Sequence, residues 1–289
     1  MVTVIITTHN RRKLLECAVK SVFGQTYKKY KLIIVNDNST DDTSDYLKTL
    51  NDMGNVEIIE IDKEHSKGGN YARNLGISKA MGKYVAFLDD DDEWFPKKLE
   101  KQVSMLENYK QYGMVYCGRI EELQGKRRRV GFSKGKMDGD LSLECFTKTI
   151  CTTSSMLIRI DLLKRIGLFD ENLNYWQDFE LNIRIANETL IGYINEPLFL
   201  YRVNYSDKLR LTNKYQGWWE AIHYIENKHL SLMEKLPDDI KKYWNIMIYK
   251  DAASRCKRCK LLKEQRKNRY HVWKYSNSII DLIRLIVNA

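Results

Sequence analysis

No stretch of the 289-residue sequence approaches the roughly 18 consecutive apolar residues that a membrane-spanning helix needs, which argues against an integral membrane protein. The chain begins with strand-like residues and has neither the basic lead nor the apolar core of a signal peptide, so we expect a cytoplasmic protein. Its six cysteines are scattered, and the single Cys-X-X-Cys at 256–259 has no second pair, so reduced thiols are expected rather than a zinc site. These features, without repeats or low-complexity tracts, predict an ordinary globular protein.

Hydrophobic residues make up 43% of the sequence and aromatic residues 11%, enough for a full domain with an appendage. The net charge of +10 is unevenly distributed. Residues 241–289 contain 13 Lys or Arg and three acidic residues, so this tail carries the whole excess and residues 1–240 are neutral overall. Such asymmetry predicts an anionic partner for the tail.

Short apolar segments alternate with helical patterns along the first two-thirds of the chain. This alternation indicates βαβ units and an α/β fold with a mainly parallel, Rossmann-like sheet flanked by helices. We predict that Asn10 caps the first helix and that Ser39 or Thr40 caps the second. The four strands predicted in this part cover residues 2–8, 31–37, 56–61 and 84–88.

The pattern loosens after a predicted strand at 113–118. Four basic residues at 126–129, among several glycines, suggest an exposed hairpin or loop. Residues 190–203 are predicted to be extended, with a bulge or a sheet edge at Pro197. From about Tyr215 onward only helical patterns remain, so we predict a helical C-terminal extension.

Four consecutive carboxylates, Asp89–Asp92, follow the fourth predicted strand. Two such charges about 4 Å apart repel by roughly 4 kcal/mol at an effective dielectric near 20, so the run needs compensation. Mg²⁺ or Mn²⁺ would supply it, since both prefer carboxylate oxygens together with water and substrate phosphates. The alternative is a solvated acidic turn in front of the helix that begins near Pro96, because acidic residues favour a helix N-terminus.

Ligands of parallel α/β sheets bind at the carboxyl ends of the strands. The polar segments at these ends are Thr7–Asn10, Asn36–Ser39 and Asp89–Asp92, so we expect them to converge on one edge of the sheet. Each segment also has an ordinary structural interpretation as a turn or a helix cap.

Three blocks of the sequence, residues 2–43, 68–100 and 154–186, together resemble the family 2 glycosyltransferases, which have the GT-A fold. The first block contains VTVIITTHN and VNDNST, the second NYARN and FLDDDDEW, and the third SSMLIRI and YWQDFE. Their order along the chain makes the resemblance more specific than any single motif, and it extends over roughly residues 1–205. The resemblance implies an inverting transferase that uses a nucleotide sugar.

The resemblance also implies roles for individual residues. Asp91, with Asp89, would hold a divalent metal, Mn²⁺ or Mg²⁺, that bridges the diphosphate of the nucleotide. Asp178 would be the catalytic base, and Gln177 precedes it where the family more often has Glu. The residues implied to contact the nucleotide sugar are Thr7, His9, Asn10, Asp37, Arg73, Asp89 and Asp90.

Elementary chemistry agrees with these roles. A divalent ion neutralises the charge that develops on a departing diphosphate, and a positioned carboxylate accepts the proton of an attacking hydroxyl. Trp176, Gln177 and Trp94 are candidate acceptor contacts, with core packing as the alternative for both tryptophans. Separate carboxylates for the metal and the base predict a single displacement with inversion at the anomeric carbon.

The sequence therefore predicts a hexosyl- or N-acetylhexosaminyltransferase that uses a nucleotide sugar, by the family a UDP-sugar, to build a surface or capsular polysaccharide or a related glycoconjugate. A catalytic domain would cover residues 1–214, with the nucleotide and metal in 1–112 and the acceptor in 113–214, and helices would fill 215–289. The alternatives are a metal-dependent nucleotidyltransferase or phosphatase and a catalytically silent nucleotide-sugar-binding module. Against the first two, the acidic run does not follow the first strand, and the sequence has no GxxxxGK[ST] loop.

The basic tail ends in an amphipathic pattern. Residues 279–287 place apolar side chains on one helical face, and the segment before them combines Lys and Arg with Trp273 and Tyr275. Because this combination is typical of a membrane-surface anchor, we predict that residues 241–289 bind an anionic cytoplasmic leaflet, where a lipid-linked glycan acceptor would lie. The alternative is packing on the body or on a second subunit of a homo-oligomer. Nucleic acid is not expected as a partner, since no recognised nucleic-acid-binding motif accompanies the charge.

Overall fold

The computed structural model describes residues 1–51, 53–130, 135–204 and 215–287. The chain forms two compact units. The first consists of Met1–Leu141, Cys151–Asn172 and Gln177–Asn204, and the second of Ser142–Ile150, Leu173–Trp176 and Tyr205–Ala289. The predicted domain boundary after residue 214 lies outside the described residues.

The first unit is built on one mixed sheet, in the strand order β3-β2-β1-β4-β8-β6-β9-β5, with β7 paired to β6. Strands β3, β2, β1 and β4 are parallel, β8 runs antiparallel to β4 and β6, and β6 is parallel to β9. This architecture confirms the predicted α/β fold, with the four predicted parallel strands β1 to β4 at one end of a mixed sheet. The strands are β1 (Val2–Thr8), β2 (Tyr30–Asp37), β3 (Val56–Ile61), β4 (Tyr84–Asp89), β5 (Glu93–Trp94), β6 (Tyr112–Leu123), β7 (Lys126–Val130), β8 (Leu157–Arg159) and β9 (Leu190–Val203).

Helices pack on this sheet through apolar positions at helical spacing. In the first helix these positions are Leu15, Ala18, Val19 and Val22, all fully buried with the apolar residues of β1, β2 and β4. Burial of each Leu or Val side chain among them stabilises the fold by roughly 1.5–3 kcal/mol. The helices of this unit are α1 (Arg12–Phe23), α2 (Thr43–Lys48), α3 (Gly69–Ser78), α4 (Lys98–Asn108), α5 (Ile160–Ile166) and α6 (Gln177–Glu188).

Both predicted helix caps are wrong. Arg11 precedes α1 and does not cap it, the backbone N–H of Arg12 donates to Asp41 instead, and α2 begins only at Thr43, after Asp42. Asn10 instead has a left-handed backbone (φ 54°), and its side-chain oxygen accepts a hydrogen bond from the backbone N–H of Thr40 at 2.6 Å. A contact between two loops has therefore replaced the local cap.

The second half of the sheet is formed mostly by residues after position 111, where the alternation of strand and helix patterns in the sequence is less regular. β6 runs to Leu123, beyond the predicted end at residue 118, and forms a hairpin with the basic strand β7. The predicted bulge at Pro197 is confirmed, since the register between β6 and β9 shifts where Gly118 pairs with Pro197. Gly131, which belongs to the predicted glycine-containing loop, lies outside the described residues.

The second unit is helical in its described C-terminal part, as predicted. Its centre is Trp218, which is fully buried, packs edge-on against Trp176 and Trp219, and lies under the guanidinium of Arg255 at 5.0 Å. No helix among the described residues is long and apolar enough to cross a membrane. The helices are α7 (Gln216–Lys228), α8 (Leu230–Glu234), α9 (Asp238–Arg258), α10 (Leu262–Ser276) and α11 (Ile279–Val287).

Candidate active site

The carboxyl ends of β1, β2 and β4 bring three polar loops together. Thr7 is paired in register with Asp89 of β4, and the next residue of β1 with Asn36 of β2. The loop after β1 is tied to β2 because the His9 ring nitrogen Nδ1 donates to the carbonyl of Asp37 at 2.6 Å. Its neighbour Asn10 donates its backbone N–H to the Ser39 hydroxyl. The first-strand and second-strand candidates therefore lie side by side at one edge of the sheet.

The first two aspartates of the acidic run, Asp89 and Asp90, are each paired with an arginine from a different helix or loop. Asp89 accepts a hydrogen bond from Arg73 of α3 at 2.8 Å. Asp90 is buried and accepts from Arg11 at 3.0 Å and from the Thr8 hydroxyl at 2.8 Å. Burial, the largest influence, raises the pKa of Asp90 to about 6, although Arg11 opposes it. Much of the compensation that the acidic run requires thus comes from the protein itself.

Arg11 is the site residue that sequence reasoning missed. Its guanidinium also lies 3.5 Å from a carboxylate oxygen of Asp91, so a single cation serves two members of the acidic run. The available signal was its place in the chain: a cation three residues beyond Thr8, the predicted end of β1, lies on the same sheet edge as the carboxylates.

Asp92 is held inside the fold by contacts with neighbouring residues. It is fully buried, accepts the backbone N–H of Arg202 at 3.2 Å, and is hydrogen-bonded to Ser154. Its other carboxylate oxygen has no hydrogen-bond partner among the described residues. Burial, with the neighbouring negative charges of Asp91 and Asp89, raises the pKa of Asp92 well above its ordinary value. A carboxyl with a raised pKa holds its proton more readily, which lessens the repulsion within the run.

Trp94 belongs to the same framework. Its indole is 3% exposed and donates its N–H to the carbonyl of Ser154 at 2.9 Å. The Ser154 hydroxyl in turn accepts the backbone N–H of Asp89. This burial favours the core-packing interpretation of Trp94 over a sugar contact, and the contacts make it a support for the acidic turn.

Within the acidic run the partly accessible side chains are Asp89 and Asp91, with 31% and 18% of the side chain accessible. Among the described residues no group of three or more His, Cys, Asp or Glu is arranged to hold a metal ion by itself. Mg²⁺ and Mn²⁺ sites at nucleotides usually have one or two carboxylates completed by water and phosphate oxygens. The residues present therefore fit a cation that is shared with a bound diphosphate.

The hydrogen bonding of the Asp37 carboxylate is incomplete among the described residues. The side chain is 8% exposed, and one carboxylate oxygen is buried without a hydrogen-bond donor among the described residues. Its neighbour Asn36 donates its amide N–H groups to Glu60 and to Ser44, and its side-chain oxygen is likewise buried without a donor among the described residues. Leaving a buried acceptor unsatisfied costs about 1–3 kcal/mol, so a ligand N–H at this position would be stabilising.

Asp178 lies in the first turn of α6, which begins at Gln177. One oxygen of the half-buried Asp178 accepts the backbone N–H of Phe179 at 2.8 Å. Burial, followed by the negative charge of Asp89, raises the pKa of Asp178 to about 6, while the Phe179 N–H and Arg73 oppose the rise. A carboxylate with this pKa is ionised at neutral pH and is a stronger base than an ordinary aspartate.

The helix that carries Asp178 is fixed by buried polar contacts. Glu180 is fully buried and pairs with Arg184 at 2.6 Å, and Arg184 also donates to the carbonyl of Ile166. On the adjacent turn the Asn182 amide donates to the carbonyl of Cys151 at 2.9 Å. Such contacts restrict the position of the first turn of α6 and so of the carboxylate on it.

Trp176 and Gln177 lie directly before Asp178 in the chain. Trp176, in the second unit, has a left-handed backbone (φ 55°) and a half-buried ring that packs on Trp218. A non-glycine residue in this conformation is uncommon, and such strain concentrates at functional sites. Gln177 is half-buried at the start of α6. Their role as acceptor contacts stays a prediction.

Solved structures show which fold this is. The UDP-GlcNAc complex of residues 1–349 of TarS from Staphylococcus aureus superposes with a TM-score of 0.61 at 15% identity, covering 99% of this chain and 88% of that one. A mannosyltransferase from Pyrobaculum calidifontis, in complex with GDP-Man and Mn²⁺, gives a TM-score of 0.63 at 16% identity, covering 99% and 78%. At these identities the likeness establishes the fold, which is the GT-A fold of nucleotide-sugar glycosyltransferases.

The sequence model described as glycosyl transferase family 2 matches residues 3–167, more than half of the chain. The protein belongs to this family and is a glycosyltransferase. An uncharacterized glycosyltransferase of Rickettsia prowazekii is 30% identical over 232 residues, which cover 76% of this chain and 71% of that protein. The membership favours a glycosyltransferase over the nucleotidyltransferase, the phosphatase and the silent binding module.

Two relatives have names that state a reaction. An Escherichia coli protein, named as a UDP-Glc:α-D-GlcNAc-diphosphoundecaprenol β-1,3-glucosyltransferase, is 38% identical over 110 residues, which cover 38% of this chain and 43% of that protein. A Campylobacter jejuni protein, named as a GalNAc(5)-diNAcBac-PP-undecaprenol β-1,3-glucosyltransferase, is 28% identical over 233 residues, covering 78% and 74%. Both names describe an acceptor linked to a lipid through a diphosphate.

Proposed function

We propose that the protein is an inverting, metal-dependent glycosyltransferase that moves a hexose or N-acetylhexosamine from a UDP-sugar to a hydroxyl group of a lipid-linked glycan. The observation that carries this proposal is that the candidate metal ligands and the candidate base are carboxylates on different structural elements. Asp89 and Asp91 keep partly accessible side chains at the end of β4, while Asp178 lies in the first turn of α6 and has a pKa raised to about 6.

The donor would bind across the ends of β1, β2 and β4. Asp37, with its unsatisfied oxygen, would accept an N–H of the nucleobase, and Thr7, His9 and Asn10 would line the same edge. Mn²⁺ or Mg²⁺ held by Asp91 and Asp89 would neutralise the charge of the departing diphosphate. Arg73, already beside Asp89, adds a second positive charge near that position.

Asp178 would act on the acceptor. Its carboxylate would take the proton of the attacking hydroxyl as the oxygen forms its bond to the anomeric carbon. Because the base and the proposed metal ligands are different residues, one direct displacement is enough. The configuration at the anomeric carbon would then be inverted, which agrees with the β-linkages named for the two undecaprenol-dependent relatives.

The donor and acceptor classes are supported by the relatives and neighbours. UDP-Glc is named for the E. coli relative and UDP-GlcNAc for the TarS complex, so a UDP-sugar is the first candidate. GDP-Man with Mn²⁺ in the Pyrobaculum structure supports a divalent cofactor. The lipid-linked acceptors of the two relatives support a role in surface polysaccharide or glycoconjugate synthesis, carried out next to a membrane.

A thermal-shift panel tests the donor and the metal. UDP-Glc, UDP-GlcNAc, UDP-Gal and GDP-Man would each be added with Mn²⁺, with Mg²⁺ or with EDTA, because a ligand that binds only the folded state raises its melting temperature. We expect the largest rise with one UDP-sugar and Mn²⁺ or Mg²⁺. Asp91→Asn should abolish the metal-dependent part of the rise, whereas Asp45→Asn, which changes an exposed carboxylate with 77% of its side chain accessible, should not.

The reaction itself is tested with the selected donor and a synthetic polyprenyl-diphosphate-linked GlcNAc. NMR of the product should show an anomeric configuration opposite to that of the donor. A retained configuration, or a turnover that EDTA leaves unchanged, would contradict the proposal.

A further inference from the structure

The last helix turns its apolar side outward. In α11 the side chains of Ile279, Ile280, Ile283 and Ile286 are 75%, 61%, 52% and 64% exposed. Asp281, on the opposite side, is 7% exposed and pairs with Arg284 at 3.2 Å. A helix at the surface of a water-soluble fold has the reverse arrangement, with its apolar stripe toward the core. These four residues, the isoleucine face, therefore indicate a partner.

The preceding helix presents positive charge. Along α10 the exposed residues Lys263, Lys267, Tyr270 and Lys274 follow a spacing of four, three and four residues and so share one side, which we call the lysine face. Arg266 lies next to this face and is also exposed. The buried residues of α10 lie on its other side and are Gln265, Asn268 and Val272.

The two helices are joined by a short, ordered turn. Asn277 has a left-handed backbone (φ 52°), and its N–H donates to the carbonyl of Trp273 at 2.8 Å, which ends α10. The guanidinium of Arg269 donates to the carbonyl of Arg284 at 2.9 Å, which fixes the end of α11 against α10. The isoleucine face and the lysine face thus belong to neighbouring, packed helices.

We propose that α10 and α11 bind an anionic lipid surface, with the isoleucine face inserted among the acyl chains and the lysine face on the head groups. Interfacial helices combine an apolar face with Lys and Arg and lie in the plane of the membrane. The surface potential of an anionic leaflet attracts each nearby Lys or Arg. Tyr270 and Trp273, with ring centroids 5.9 Å apart, supply the aromatic residues that favour the interface between water and lipid.

A second copy of the chain fits these observations less well. A specific protein interface buries roughly 20–30 residues a side, whereas the isoleucine face and the lysine face together have eight. In a two-fold dimer each surface meets its own copy, so the lysine face would be brought close to the same positive charges. An anionic bilayer offers acyl chains to the isoleucine face and negative head groups to the lysine face.

Sedimentation of the full chain with vesicles tests the proposal. Vesicles of phosphatidylcholine with phosphatidylglycerol should bind the protein at least tenfold more tightly than vesicles of phosphatidylcholine alone. The variant Ile283→Glu/Ile286→Glu and the variant Lys263→Glu/Lys267→Glu/Lys274→Glu should each weaken binding at least tenfold. The loss in the lysine variant should be matched in the parent protein by raising the salt concentration.

Two matched controls come from the same unit. Leu230→Glu removes another exposed apolar residue, 54% exposed, and Lys235→Glu/Lys242→Glu/Lys250→Glu makes the same change in net charge on exposed lysines elsewhere. Both controls should bind like the parent. Equal binding by the parent and the two test variants would overturn the proposal, as would a dimer in light scattering that the isoleucine variant dissolves while vesicle binding persists. Circular dichroism and nucleotide-sugar binding would confirm that each variant is folded.

Discussion

The charged side chains at the end of β4 and those on the helices α10 and α11 have opposite surroundings. At β4 the charges of both signs are close together and largely buried, with Arg11 on Asp90 and Asp91, and Arg73 on Asp89. On α10 the exposed charges of the lysine face have one sign. The first arrangement is largely compensated by partners within the chain, whereas the charges of the second are exposed to solvent and available to an outside partner.

The difference predicts where mutation costs stability and where it costs only binding. Removing one partner of a buried ion pair leaves an uncompensated charge, which costs about 3–5 kcal/mol. An exposed charge is already solvated, and its removal is close to neutral. Substitutions at β4 should therefore affect folding as well as activity, whereas those on the lysine face should affect only the encounter with a surface.

The largest effect is expected at Asp178. Asp178→Asn should lower kcat by about a thousandfold, because a positioned base contributes roughly 10²–10⁴-fold. Donor binding by thermal shift should persist. Glu188→Gln, an exposed position at the other end of α6 that pairs with Arg165, is the matched control and should keep full activity. Transfer by Asp178→Asn at the parent rate would show that another group takes the proton.

Substitution of Arg11 tests the predicted stability cost of breaking the buried pair with Asp90. Arg11→Leu should lower the free energy of unfolding at pH 7 by about 3 kcal/mol, since it leaves the buried Asp90 without its cation. Arg12→Leu, one residue later, breaks only a partly exposed pair with Glu16 and a contact with the ring of Tyr46, so it should cost about 1 kcal/mol or less. Urea unfolding measures both, and equal losses would mean that Asp90 does not depend on Arg11.

The loss in Arg11→Leu should also depend on pH. Burial already raises the pKa of Asp90 to about 6, above the value of the unfolded chain, and removal of Arg11 should raise it further. A carboxyl that binds its proton more tightly in the native state makes the fold more stable as the pH falls. The deficit should therefore shrink between pH 7 and pH 5, and a deficit that grows would contradict this assignment.

A smaller effect is expected from the titration of Asp178 itself. Its pKa is raised to about 6 by burial and by Asp89, against the opposing influence of Arg73. The base acts when ionised, so kcat should fall by about tenfold per pH unit below pH 6 and level off above it. The residual activity of Asp178→Asn should lack this acid limb. If the variant shows the same limb, a different group titrates.

Much of the sheet could be predicted because its signal is local. β1 to β4 are apolar runs buried in one sheet, and their predicted bounds agree with the structure within one residue. β6 was predicted too short because its second half, Arg119–Leu123, is mostly polar and is stabilised by pairing with β7 and β9. Ladder hydrogen bonds of this kind leave no apolar pattern in the sequence.

The position of the site could be predicted from the sequence, but the contacts between its side chains could not. Strand ends located the acidic run, since the carboxyl ends of parallel strands share one edge. The sequence did not reveal that Arg11 would reach Asp90, nor that Asn10 would hold Thr40 rather than cap α1, because these contacts join loops distant in sequence. The amphipathic pattern of α11 was visible, but a pattern does not tell which face is outward.

The smallest effect is expected on the lysine face. In lipid-free buffer Lys263→Glu/Lys267→Glu/Lys274→Glu should change the free energy of unfolding by no more than about 0.5 kcal/mol, although it reverses three charges. All three side chains are exposed on a positively charged helix, so their replacement breaks no buried contact and relieves like-charge repulsion. Urea unfolding of this variant beside Arg11→Leu makes the contrast direct. A loss of 2 kcal/mol or more would show that the lysine face is already engaged within the chain, and that its charge is structural like that of Arg11.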